Sequence, residues 1–172
     1  MKKMLAILLT VILLAGCGKK DVMETVSDVQ SVPTAAIQQE ILVYLPPELS
    51  VPALQDESAG ELYLCDDYSV TVQTVASGDL AKTVRNATGM EKEDLQIIKT
   101  RQGDVVRYQW VWAANGERGI QVGRGCILDD GAYHYVLTAL AEEGAAKRVQ
   151  DTWKEMFASF RLNGVEKIST GS

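Results

Sequence analysis

The sequence predicts an α+β fold: an antiparallel sheet of about six or seven strands with a short helix and a long C-terminal helix packed on it. Three observations carry that expectation. Several runs alternate apolar and polar residues with the two-residue period of half-buried strands, and hairpin-length turns join them. A short helical segment interrupts the series, bracketed by capping residues. A long helical stretch near the end presents a large aromatic stripe, which needs a sheet to cover.

Glu40 to Leu45 is β-rich and stops at Pro46-Pro47, which removes two backbone donors. Glu61 to Cys65 forms a short strand, and Asp66-Asp67 a turn. In Tyr68 to Val75, Tyr68, Val70 and Val72 alternate with Ser69, Thr71 and Gln73. Ser77-Gly78-Asp79 supplies N-cap chemistry. Leu80 to Thr88 then places Leu80, Val84 and Ala87 on one helical face and ends at Gly89, a C-cap signal. Leu95 to Arg101 returns to strand, followed by the turn Gln102-Gly103-Asp104. In Val105 to Ala113, Val106, Tyr108, Trp110 and Trp112 face one way, and Arg107, Gln109 and Val111 the other. Asn115-Gly116 is a hairpin signal. Ile120 to Leu128 and Ala132 to Leu140 complete the meander around Asp129-Asp130-Gly131. From Glu143 to Ser159, Ala146, Val149, Trp153, Met156, Phe157 and Phe160 recur at spacings of three and four.

The first residues carry a different message. Lys2 and Lys3 precede an apolar run, Met4 to Leu14, too short for a spanning helix of roughly 20 residues. Leu14-Ala15-Gly16-Cys17 resembles a bacterial lipoprotein box. The resemblance implies a signal peptide at residues 1–16, removed before Cys17, and a diacylglyceryl (palmitate-type) anchor on the Cys17 thiol. Residues 17–37, rich in Lys, Asp, Glu, Ser, Thr and Gln, read as a flexible tether. Residues 38–163 form the folded domain and 164–172 a tail. The expected location is the extracytoplasmic face of the cell membrane, held there by the N-terminal lipid.

Loss of Lys2 and Lys3 leaves 15 basic against 23 acidic residues, a net charge of −8. That balance excludes a polybasic grip on nucleic acid or anionic lipid. Cys65 and Cys126 remain for the domain. In an oxidising compartment an even pair suggests one disulfide; the alternative is two free buried thiols.

The strand and helix order resembles the PsbP/Mog1 family of α/β/α sandwich domains. Its carriers here are Tyr133-His134-Tyr135-Val136-Leu137-Thr138 and, later, Thr152-Trp153 to Ser159-Phe160-Arg161-Leu162. The resemblance implies that fold over residues 38–163 and a binding or assembly role. It defines no functional residues to carry over.

Candidate chemistry is sparse. His134 is the only histidine, so a zinc site of histidines is excluded, and Cys65 and Cys126 lack close zinc spacing. No metal site, catalytic set or cofactor is expected. Asp129-Asp130-Gly131 lacks the spaced oxygens of a calcium loop and reads as a turn. Gly116, Gly119, Gly123 and Gly125 sit along strands, where glycine marks bulges or close backbone approach, not a phosphate loop. The aromatic set Tyr108, Trp110, Trp112, Tyr133 and Tyr135 is either core or a partly uncovered binding patch, bordered by Arg107, Gln109 and Arg124. The expected function is a non-catalytic binding or accessory module of the envelope, with an unknown protein or small-molecule partner. Two alternatives stand beside it: a small-ligand or metal-dependent enzyme using His134 with nearby aspartates, and a structural subunit of an envelope complex.

Overall fold

The computed structural model describes residues 36–56, 60–117 and 119–164. The expected signal peptide, Cys17, most of the expected tether and all of the expected tail but Gly164 lie outside the described residues. Residues 37–172 form a compact unit of their own, and every described strand, helix and core side chain belongs to it.

Among the described residues, nine strands and three α-helices follow one another, with two short 3-10 turns at Pro47–Leu49 and Lys92–Asp94. The strands are β1 (Ile41–Leu42), β2 (Leu54–Asp56), β3 (Gly60–Leu64), β4 (Tyr68–Ala76), β5 (Ile98–Gln102), β6 (Val105–Gly116), β7 (Gly119–Asp129), β8 (Tyr133–Glu142) and β9 (Arg161–Leu162). The helices are α1 (Leu80–Thr88), α2 (Glu143–Arg148) and α3 (Gln150–Ser159). Seven strands make one antiparallel sheet in the order β2-β3-β4-β8-β7-β6-β5, in agreement with the expected α+β class.

Register decides which residues share a face, because one step along a strand flips every side chain. Val111, Arg124 and Ala139 are aligned across β6, β7 and β8, as are Tyr108, Ile127 and Val136 on the opposite face. One face carries the larger core: Tyr68, Val70, Val72, Leu137 and Tyr135 beneath Trp153, Met156, Phe157 and Phe160 of the C-terminal helices. The other face carries Trp110, Trp112, Ile127 and Val136 beneath Val84 of α1.

α1 begins where expected. The Asp79 carboxylate accepts from the backbone N–H groups of Ala81 and Lys82, and Gly89 closes the helix at φ 74°. The expected single C-terminal helix is two helices that bend at Val149, whose backbone sits at φ −97° and ψ 8°. Backbone bonds from Val149 to Ala145 and from Trp153 to Val149 run on either side, so the apolar stripe continues through the bend. Arg107 closes the far end, donating to the carbonyls of Phe157 and Phe160, which α3 leaves without partners.

Two differences concern strands. The expected Glu40–Leu45 strand shrinks to Ile41–Leu42 and pairs with β9, outside the main sheet. The edge strand β2, unheralded in the sequence, pairs with β3.

Candidate functional site

The aromatic set does not form one patch. Trp110 and Trp112 are buried against α1 with Tyr108 beside them, whereas Tyr135 is fully buried on the opposite face and Tyr133 packs next to it. The cause is register: Tyr135 is paired with Leu128, and Leu128 with Arg107, so Tyr135 shares the face of Arg107 and not that of Trp110. The two indoles lie across the backbone of β7. A Cβ on Gly125 would stand 2.3 Å from Trp110, and one on Gly123 2.3 Å from Trp112. Gly123 and Gly125 are therefore close-approach positions, whereas Gly119 faces open space and takes φ 132°.

Cys65 and Cys126 are free. Cys65 follows β3, and Cys126 lies on β7, three strands away in the sheet order. Three spacings of about 4.8 Å place their Cα atoms well beyond the ~7 Å a disulfide tolerates. In this structure the two thiols stand unbridged, Cys126 buried and Cys65 half-buried. Burial pushes the Cys126 thiol up to about 12 against the opposing pull of Arg107 and Arg124.

His134 is buried on the α1 side. Its Nδ1 lies 2.8 Å from the Thr83 hydroxyl, and its Nε2 3.8 Å from Asp129 Oδ2. Desolvation lowers its pKa from 6.5, with Asp129 and Asp130 opposing, so the ring is neutral. The Thr83 hydroxyl also donates to the Asp79 carbonyl at 3.3 Å, so the direction of its bond with Nδ1 follows the imidazole tautomer. Asp129 also accepts from the Gly131 N–H at 2.8 Å, the bond of an aspartate turn. Asp130 has the same duty: burial pushes its carboxyl up, but bonds from Tyr133, Ala132, Tyr135 and Gln39 bring it below the usual range. Hydroxyl, imidazole and carboxylate in series resemble an acyl-transfer relay in order only, since 3.8 Å is too long for a hydrogen bond. The row links α1 to the sheet.

An open groove lies on the other face, where the C-terminal helices stop short of the β5–β6 edge. Its cavity volume is about 570 Å³, within the range of small-ligand sites. The floor is Ile98, Gln109, Val111, Val122 and Arg124. Ala146, Lys147, Gln150 and Trp153 form the helical wall. Ile98 and Val111 are 65% and 67% exposed, so an apolar floor is left open to water. The Arg124 guanidinium sits 4.6 Å over the Phe157 ring, and desolvation lowers its pKa below the ordinary guanidinium value. Among the described residues no carboxylate pairs with it; Glu143 at the rim is engaged by Lys147. Trp153 Nε1, on the wall, is buried without a hydrogen-bond partner. Gln109 and Arg124, expected to border the aromatic set, instead lie on the opposite face from Trp110 and floor this groove. Arg107 shares their face but is spent on the end of α3.

Fold and groove together define an α+β module with an amphipathic recess between sheet and helix. No helix among the described residues is long and apolar enough to cross a membrane. No family model matches the chain, and no curated protein matches it. Among solved structures it is similar in fold to LpqN of Mycobacterium tuberculosis, described as involved in cell envelope biogenesis. The likeness has 12% identity and a TM-score of 0.51, over 73% of this chain and 84% of that one. It bears on the fold alone.

Proposed function

We propose that this protein is a lipid-anchored, extracytoplasmic binding or accessory module of the bacterial cell envelope. The observation that carries the binding role is the open groove: an apolar floor at Ile98 and Val111 with an unpaired cation, Arg124, set into it. The address comes from Leu14-Ala15-Gly16-Cys17 behind its apolar run, with Cys17 as the lipidated residue. The PsbP/Mog1 resemblance and the fold shared with an envelope-biogenesis protein support the same setting. Mass spectrometry of the protein from bacterial membranes tests the anchor. The expected product begins at Cys17 with a diacylglyceryl mass on its sulfur, and Cys17→Ser is found in the soluble extracytoplasmic fraction. Retention of residues 1–16, or an unmodified Cys17, overturns the reading.

A second reading, an enzyme using His134 with a nearby aspartate, has only the order of Thr83, His134 and Asp129 in its favour, because His134 is buried and 3.8 Å from the Asp129 carboxylate. Loss of a measured activity in His134→Gln at unchanged thermal stability distinguishes it from a helix link.

A further inference from the structure

We infer that the groove beside the C-terminal helices binds an amphiphile with a single acidic head, a carboxylate or phosphate, on an apolar chain. The inference rests on the binding reading above and names its ligand class. Charge complementarity selects the head. A guanidinium half-withdrawn from water costs free energy unless an anion meets it. Arg124 is the floor cation and has no anionic partner among the described residues. The nearby Arg107 is satisfied by helix carbonyls, but its charge adds to the positive field around Arg124. The Phe157 ring holds the guanidinium carbon of Arg124 4.6 Å from its centroid, and no hydrogen bond engages the Arg124 donors among the described residues, so they are available to a bidentate acid. The Trp153 ring forms part of the adjoining wall.

The body of the ligand follows from the floor. Val111 and Ile98 offer exposed apolar surface leading away from Arg124 toward the sheet edge. An alkyl chain covers them and brings no backbone donors or acceptors that the floor would leave unpaired. A second acidic group would meet Glu143 at the rim, which favours one charge over several.

Calorimetric titration of the chain from Gly18 onward tests this without the anchor or any detergent. That chain keeps the whole compact unit of residues 37–172. The probes are dodecyl phosphate, dodecanoate, dodecanol and inorganic phosphate. Both amphiphilic acids are expected to bind, and dodecanol and inorganic phosphate each to bind at least about tenfold more weakly, a difference of ~1.4 kcal/mol. Arg124→Gln should weaken the acids to the level of dodecanol. Val111→Glu, at an exposed position, should abolish their binding at unchanged melting temperature, while Leu64→Glu, equally exposed outside the groove, leaves it intact. Equal binding of dodecanol, equal binding of inorganic phosphate, or indifference to both groove substitutions overturns the inference. Because anchoring is scored on Cys17 in membranes, either result can fail without the other.

Discussion

Adding a single methyl to β7 tests the packing of the α1 face. Gly125→Ala places a Cβ 2.3 Å from the Trp110 indole, where carbon atoms in contact ordinarily stand about 3.5–4.0 Å apart. The overlap is therefore more than about 1 Å. Trp110 cannot swing away, because it is 3% exposed and packed among Val84, Ile127 and Val136. Overpacking of this kind costs about 1–3 kcal/mol. Removing a strand glycine returns roughly 0.5 kcal/mol of chain entropy. The net expectation is a loss of about 1.5 kcal/mol, or roughly 6 °C in melting temperature at ~4 °C per kcal/mol for a domain of this size. Circular dichroism melts give the measurement. Gly78→Ala, where an added Cβ meets nothing within 4 Å, serves as the control and should melt with the wild type. Combining Gly125→Ala with Trp110→Leu should recover about 1 kcal/mol or more of coupling in a double-mutant cycle. A Gly125→Ala protein that melts within about 2 °C of the wild type refutes the stacking argument.

Three further outcomes follow from the same geometry. Arg107→Met strips two charge-assisted bonds from the end of α3 and should cost about 3 kcal/mol by urea denaturation; a change under ~0.5 kcal/mol would mean that water serves those carbonyls equally well. His134 binds its proton more weakly folded than unfolded, so the unfolded chain takes up the proton first as pH falls below 6.5. Stability should decline there by up to about 1.4 kcal/mol per pH unit until the lowered folded value is passed, and His134→Gln should flatten that slope; an unchanged slope would place the titration elsewhere. Thiol labelling of the chain from Gly18 without reductant should count two reactive cysteines after denaturation and leave Cys126 unlabelled in the native protein, whereas none after denaturation would mean a Cys65–Cys126 bridge.

Much of the architecture is legible because local patterns and tertiary needs agree. Trp110 and Trp112 alternate with Gln109 and Val111, and the structure buries both indoles on one face. Asp79 and Gly89 mark both ends of α1 because capping depends on the chemistry of one or two residues. What the pattern does not carry is pairing between distant strands. Nothing in Tyr133 to Tyr135 says that Tyr135 meets Leu128, so the aromatic set reads as one group when it is two. β2 escapes notice because its three residues are all exposed and give no alternation. The groove is illegible for another reason. Ile98 and Val111 look like ordinary strand residues, and only the reach of α2 and α3 over the sheet decides that they stay uncovered. The bend at Val149 is likewise invisible in a stripe whose spacing stays helical across it.

The small ladder between β1 and β9 has a mechanical consequence. Glu40 is bonded to Asn163 through both backbone and side chain, and Tyr44 N–H donates to Ser159 Oγ, so the incoming and outgoing segments are zipped side by side. A pull arriving through Gln39 loads its bonds to the Tyr135 hydroxyl and the Asp130 carboxylate first and then the bonds of this ladder, before any strand of the seven-stranded sheet is sheared. Peeling residues 39–45 would release slack of about 3.4 Å per residue, roughly 24 Å in all, with the strands that floor the groove still paired. Under the proposed anchor at Cys17, this ladder would yield before the sheet that floors the groove.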